Sequence, residues 1–143
     1  GISRSCSKRN VWCRNCAKCL FVCGILSPFL PPEQLSAIFG ENLLERDELR
    51  EIFDGLAGFS PLKPFECVGT QEELRFALAL AARQYRARGE ALPALLQYFT
   101  QHADWEALSS DGSLLNAWNP QHEIPAAFQP YIKEMHNYAA GIA

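Results

Sequence analysis

The chain has 143 residues, a hydrophobic share of 48%, a charged share of 20% and a net charge of −3. This is enough apolar material for one packed domain, too little charge for a disordered chain, and a cysteine count of 6 that falls short of a disulfide scaffold. No apolar run reaches the roughly 20 residues needed to span a bilayer. The stretch Leu20 to Leu30 is interrupted by Cys23, Gly24, Ser27 and Pro28 and reads as core.

The charge is unevenly placed. Residues 1–32 carry Arg4, Lys8, Arg9, Arg14 and Lys18 and no acid. This basic head either faces phosphate or nucleic acid, or offsets the negative charge of a metal–thiolate group. That group is suggested by Cys6, Cys13, Cys16 and Cys19, spaced C-x6-C-x2-C-x2-C. Four soft thiolates this close satisfy one tetrahedral ion, most simply zinc, with no position left open for water, which is the pattern of a structural site. A [4Fe–4S] cluster and a set of unligated thiols are the alternatives. Neighbours in a C-x2-C-x2-C run make poor mutual disulfides, so the pattern points to a reducing cytoplasm.

In chain order, a cysteine knuckle and first helix occupy 1–31, and a helical domain fills 32–143. The first helix starts near Cys16 and brings Cys16, Cys19 and Cys23 to one face. Trp12 is placed to shield the cluster from water, and Cys23 reads as core. Pro31-Pro32 separates the first helix from a second that carries Leu35, Ile38 and Phe39 and stops at Gly40. A third helix is expected from about Leu44 to Leu56, where Leu44, Leu49, Ile52, Phe53 and Leu56 recur at helical spacing. Gly58 to Gly69 is a proline-containing loop holding Lys63, Phe65, Glu66 and Cys67, with a short extended stretch at Phe65 to Val68. Thr70-Gln-Glu-Glu73 fits a capping box, opening a helix that ends near Arg88 and Gly89. Further helices are expected over Leu92 to His102, with a continuation at Asp104 to Leu108, and over Ala126 to Ala140. The fold class is therefore mainly α: a small helical domain with an N-terminal four-cysteine metal knuckle.

Four stretches carry a family resemblance: Trp12-Cys-Arg-Asn-Cys-Ala-Lys-Cys-Leu-Phe-Val22, Leu26-Ser-Pro-Phe-Leu-Pro31, Phe39-Gly-Glu-Asn42 and Lys63-Pro-Phe-Glu-Cys-Val-Gly-Thr70. The chain resembles the C-terminal part of the bacterial epimerases that act on UDP-N-acetylmuramoyl-L-alanyl-L-glutamate in peptidoglycan precursor synthesis. From about Leu92 the likeness is looser and runs through Trp118 and His122-Glu-Ile-Pro125. The cysteine cluster is also similar to the zinc site of 7-cyano-7-deazaguanine synthases, where the first gap is longer. Both families belong to the ATP-pyrophosphatase group, whose Ser-Gly-Gly-x-Asp-Ser phosphate loop is absent from this sequence. The expectation is a C-terminal fragment, inactive by itself, whose partner is the ATP-binding half of the same protein.

The resemblance implies an ATP- and magnesium-dependent isomerase of the cell-wall pathway, and so a role in cell shape. ATP adenylates the terminal glutamyl α-carboxylate, the acyl-adenylate acidifies the α-proton, and a proton returns on the other face. Cys67, Glu66 and His122 are the candidates for proton transfer, because a thiol, carboxylate or imidazole with a tuned pKa suits that work. Lys63 and Thr70 are the candidates for holding substrate. Three of them also have a plain structural reading: Cys67 as packing, His122 as a solvated or hydrogen-bonded loop residue, and Lys63 as a solvated side chain. Two other classes compete. One is a zinc-binding nucleic-acid or tRNA-modification module, but a nucleic-acid partner would be better served by aromatics among the basic residues, and only Trp12 is there. The other is a structural interaction domain.

Overall fold

The computed structural model describes residues 12–61, 68–110, 112–117 and 121–142. Among them every regular element is helical and no strand occurs. The α-helices are α1 (Ala17–Leu26), α2 (Pro32–Phe39), α3 (Arg50–Ala57), α4 (Gln71–Ala87), α5 (Ala94–His102), α6 (Trp105–Ser110), α7 (Ser113–Asn116) and α8 (Gln129–Ile142). Two single 3-10 turns, Leu43–Glu45 and Asp47–Leu49, lie between α2 and α3. The chain divides into two compact units, Gly1–Ser109 and Ser110–Ala143.

The first unit is built around α4. Every residue from Phe76 to Ala82 is buried, so this helix has no solvent face over two turns. It packs against α1, α3 and α5. The core interleaves Leu20 and Cys23 of α1, Phe53 and Leu56 of α3, Leu74 and Leu78 of α4, and Leu95, Leu96 and Phe99 of α5. The closest approach is at Gly24, where an added Cβ would stand 2.6 Å from Leu74 Cδ1. Glycine there lets α1 and α4 meet backbone to side chain.

The capping box forms as its sequence predicts. Thr70 Oγ1 accepts from the Glu73 N–H at 3.1 Å, and Glu73 Oε2 accepts from the Thr70 N–H at 2.6 Å. Gly40 ends α2 in the left-handed region, φ 85°, which an L side chain adopts only with strain.

The single helix expected from Leu44 to Leu56 is instead two 3-10 turns followed by α3. Asn42 offers its side-chain oxygen to the Leu44 N–H at 3.2 Å, which starts a turn rather than a long helix. Arg46 then leaves the helical region, at φ −88° and ψ 89°. Hydrophobic spacing alone does not report such a break, because Leu43, Leu44, Leu49 and Phe53 all still reach the core.

In the second unit, α7 and α8 pack together. The helix expected over Ala126 to Ala140 starts later, at Gln129. The short α7 was not expected, since four residues carry no readable periodicity. Phe128, Tyr131 and Met135 are largely exposed. No helix of the described residues is long and apolar enough to cross a membrane.

Candidate metal centre

Cys13, Cys16 and Cys19 converge. Their sulfur atoms all lie within 4.8 Å of one another. Sγ of Cys19 is 3.5 Å from Sγ of Cys13 and 3.5 Å from Sγ of Cys16. The local chain explains this. Cys16 is the N-cap of α1, and Cys19 falls in its first turn. Cys13 is brought back over that turn because Arg14 adopts a left-handed backbone, φ 63°. Two helix-terminal positions and one tight reversal therefore aim three thiols at one point, beside the positive end of the helix dipole.

The electrostatics disfavour ionisation of Cys16 and Cys19 by themselves. Burial raises the Cys19 thiol far above its ordinary value, and neighbouring Cys16 and Cys13 add to the rise. Burial also raises Cys16. Backbone amides oppose this: the Arg14 N–H faces the Cys19 sulfur, and the Cys19 N–H faces that of Cys16. Amide-to-sulfur contacts of this kind stabilise thiolates once a divalent ion supplies the charge.

The donor set fits a thiophilic metal. Zn–S bonds of about 2.3 Å in a tetrahedron place sulfurs about 3.8 Å apart, close to the spacings present. The three described thiols can hold a metal ion. Cys6, the expected fourth ligand, lies outside the described residues.

Cys23 stands apart from the cluster, as its reading as core requires. It is fully buried, and its thiol points at Asn42 Oδ1, 3.9 Å away. Asn42 Nδ2 in turn lies 3.5 Å from the Tyr85 hydroxyl. Trp12 packs its ring on Phe39, with centroids 4.8 Å apart.

The knuckle is tied down from outside by residues that sequence spacing does not reveal. Arg46 Nη1 donates to the Arg14 carbonyl at 3.0 Å and to Asn15 Oδ1 at 2.8 Å. Glu41 Oε1 lies 3.5 Å from Arg14 Nη1 and 3.6 Å from Arg46 Nη1. Arg14 and Arg46 are more than thirty residues apart, so only the fold joins them.

The MurL C-terminal domain family matches residues 3–111, most of the chain. The chain belongs to that family. Relatives named UDP-N-acetyl-alpha-D-muramoyl-L-alanyl-L-glutamate epimerase come from a Micromonospora species, 35% identical over 87% of this chain and 27% of the relative, and from Xanthomonas oryzae pv. oryzae, 42% identical over 57% of this chain and 18% of the relative. A third, from Salinispora tropica, is 44% identical over 51% of this chain and 16% of its own length. The chain thus spans about a quarter or less of the relatives it matches. No solved structure matches it.

The other site residues expected from the sequence are placed unevenly. Lys63, Glu66 and Cys67 lie outside the described residues. Thr70 lies at the start of α4, where its hydroxyl oxygen serves the capping box. His122 is partly buried and belongs to the second unit. A separate surface cleft of about 250 Å³ is lined by Asp47, Arg50, Ala94, Gln97, Tyr98 and Gln101. Its main feature is the Arg50 guanidinium stacked 4.4 Å over the Tyr98 ring, and it contains no thiol.

Proposed function

We propose that this chain is the C-terminal part of an ATP-dependent epimerase that converts the terminal L-glutamate of UDP-N-acetylmuramoyl-L-alanyl-L-glutamate to D-glutamate. The observation that carries the reading is the family match over residues 3–111, together with relatives whose names state that substrate. Within this reading the enzyme works in the cytoplasm on peptidoglycan precursors, and so contributes to cell shape. The ATP-binding half of the same protein supplies the nucleotide and magnesium sites.

The chemistry balances simply. The glutamyl α-carboxylate attacks ATP and releases pyrophosphate. The resulting mixed anhydride acidifies the α-proton, which one group removes and another returns from the opposite face. Water then cleaves the anhydride to give carboxylate and AMP. Cys67, Glu66 and His122 remain the proposed proton-transfer residues, with Lys63 and Thr70 on the substrate. A thiol, carboxylate or imidazole suits acid–base work of this kind when its surroundings bring its pKa toward neutrality.

Cys13, Cys16 and Cys19, joined by Cys6, would hold zinc. A closed four-thiolate ion supplies folding energy and no open coordination position. The cluster's part in the reaction is therefore to fix the knuckle against α1 and α2, leaving proton transfer to side chains elsewhere.

The test is turnover of the UDP-muramoyl dipeptide by the full-length protein with ATP and magnesium in deuterated water. D-glutamate carrying deuterium at Cα, formed with AMP and pyrophosphate, is expected. ATP-independent turnover, or none at all, would sink the proposal. Cys67→Ala, Glu66→Gln and His122→Ala should each slow exchange by about 100-fold or more if they move the proton. Wild-type rates in all three would remove these residues but leave the reaction standing.

A further inference from the structure

We infer that Arg46 is a positioning residue for the cysteine cluster, holding the Cys13–Cys16 turn in the conformation that aims the thiols at one ion. The inference rests on the reading of the cluster as a metal site. It adds a component that no ligand spacing reveals.

Three observations meet at this side chain. Its Nη1 donates both to the Arg14 carbonyl, at 3.0 Å, and to Asn15 Oδ1, at 2.8 Å. Those two residues are the whole of the gap between Cys13 and Cys16. Arg14 is also the described non-glycine residue with positive φ, at 63°. A left-handed arginine costs on the order of 1 kcal/mol and persists only where its surroundings enforce it. A guanidinium gripping the carbonyl of that residue and the side chain of the next supplies such enforcement.

The grip is itself braced. Arg46 Nε donates to Glu48 Oε1 at 2.8 Å, which fixes the plane of the guanidinium. Glu41 lies between the Arg14 and Arg46 guanidiniums, 3.5 and 3.6 Å from them. The Arg46 side chain is only 20% exposed, less than its partners Glu41 and Glu48, so it is the more firmly held member of these pairs. The backbone at Arg46 departs from the helical region between two 3-10 turns, where hydrophobic spacing favours a continuous helix. Breaking the helix there frees the side chain to reach back to the knuckle.

Arginine suits this task better than lysine. Its planar fork addresses the carbonyl, the amide oxygen and a carboxylate together, whereas an ammonium offers a point charge on a flexible stem. Partners outside the ligand set that orient a metal site typically contribute 10–100-fold in affinity.

The experiment uses the 143-residue chain, reduced, with Co²⁺ as spectroscopic probe and Zn²⁺ affinity measured by chelator competition. Arg46→Ala should keep the cobalt–thiolate charge-transfer band at wild-type intensity, since no ligand is removed, while Zn²⁺ binding weakens 10–100-fold. Arg46→Lys should recover part of the loss. Arg88→Ala, which breaks the Arg88–Glu90 pair, should leave the affinity unchanged. Wild-type affinity in Arg46→Ala, or an equal loss in Arg88→Ala, overturns the inference. If Arg46→Ala does not fold, Glu41→Gln decides: several-fold weaker binding supports the clamp, and unchanged binding refutes it. A wild-type chain that shows no cobalt–thiolate band overturns the metal reading and the clamp with it, an outcome distinct from a clamp that fails on a working site.

Discussion

Sγ of Cys13 and Sγ of Cys19 stand 3.5 Å apart, although six positions separate them in the chain. Two neutral thiols gain little from such closeness, and burial raises Cys19 against ionisation. A divalent cation reverses that balance, because ligation and folding then share one free energy. Removing metal with a strong chelator should therefore lower the melting temperature. Readdition of Zn²⁺ at about 1,000 times its dissociation constant should restore about 4 kcal/mol. Cys19→Ser should abolish the zinc response in a thermal melt. An equal melting temperature with and without chelator would refute the structural-metal reading.

The contact between α1 and α4 gives a second prediction. A Cβ on residue 24 would stand 2.6 Å from Leu74 Cδ1 and 3.8 Å from Leu78 Cδ2. Leu74 is almost fully buried, so its methyl has little room to yield. Overpacking of this sort costs about 1–3 kcal/mol, while alanine gains about 1 kcal/mol over glycine inside a helix. Gly24→Ala should thus be net destabilising in urea titration, by about 1 kcal/mol. In a Leu74→Ala background the clash disappears and the same substitution should become stabilising. Additive effects in the double-mutant cycle would show that the two sites do not touch.

Much of this architecture is legible in the sequence because local chemistry and tertiary demand agree there. Pro31-Pro32 through its fixed φ, Gly40 through its left-handed backbone and the Thr70–Glu73 box through two hydrogen bonds each set a helix boundary, and the boundaries stand where those residues place them. The thiol trio is legible for the same reason, since its three ligands span one turn and one helix start. The segment from Leu43 to Leu49 is not. Its leucines keep their core positions while the backbone turns away to let Arg46 reach Arg14, a demand set by residues more than thirty positions upstream. Single-chain periodicity records burial and cannot record that long-range bond. Arg46, Glu41 and Asn15 were missed on the same ground, the only local hint being an asparagine inside a C-x2-C turn.

Thr70 allows its structural and functional roles to be separated. Its Oγ1 already accepts the Glu73 amide at 3.1 Å, so Thr70→Ala should cost about 1 kcal/mol of stability from the lost cap. Thr70→Ser retains the oxygen and should keep stability within a few tenths of a kcal/mol. If Thr70 also binds substrate, the full-length Thr70→Ala enzyme should show a raised KM at temperatures where it is fully folded. An unchanged KM would confine Thr70 to capping.

Cys23 predicts an alkaline limb in the stability profile. Burial raises its thiol from 9.0 to about 11, and the thiol faces Asn42 rather than the cluster. Between those values the folded chain keeps a proton that the unfolded chain has lost. The native state then binds more protons, so stability falls as pH rises from about 9 to about 11. Tyr85, also raised by burial, adds a loss in the same direction at higher pH. With about 1.4 kcal/mol per unit, the Cys23 contribution is at most about 3 kcal/mol. Cys23→Ala should begin less stable at pH 8, because a fully buried side chain is trimmed, and should lose less on alkalinisation. Groups common to both proteins cancel in the comparison. Urea midpoints measured from pH 8 to pH 11 should therefore converge, and parallel curves would show that the Cys23 proton is not held by the fold.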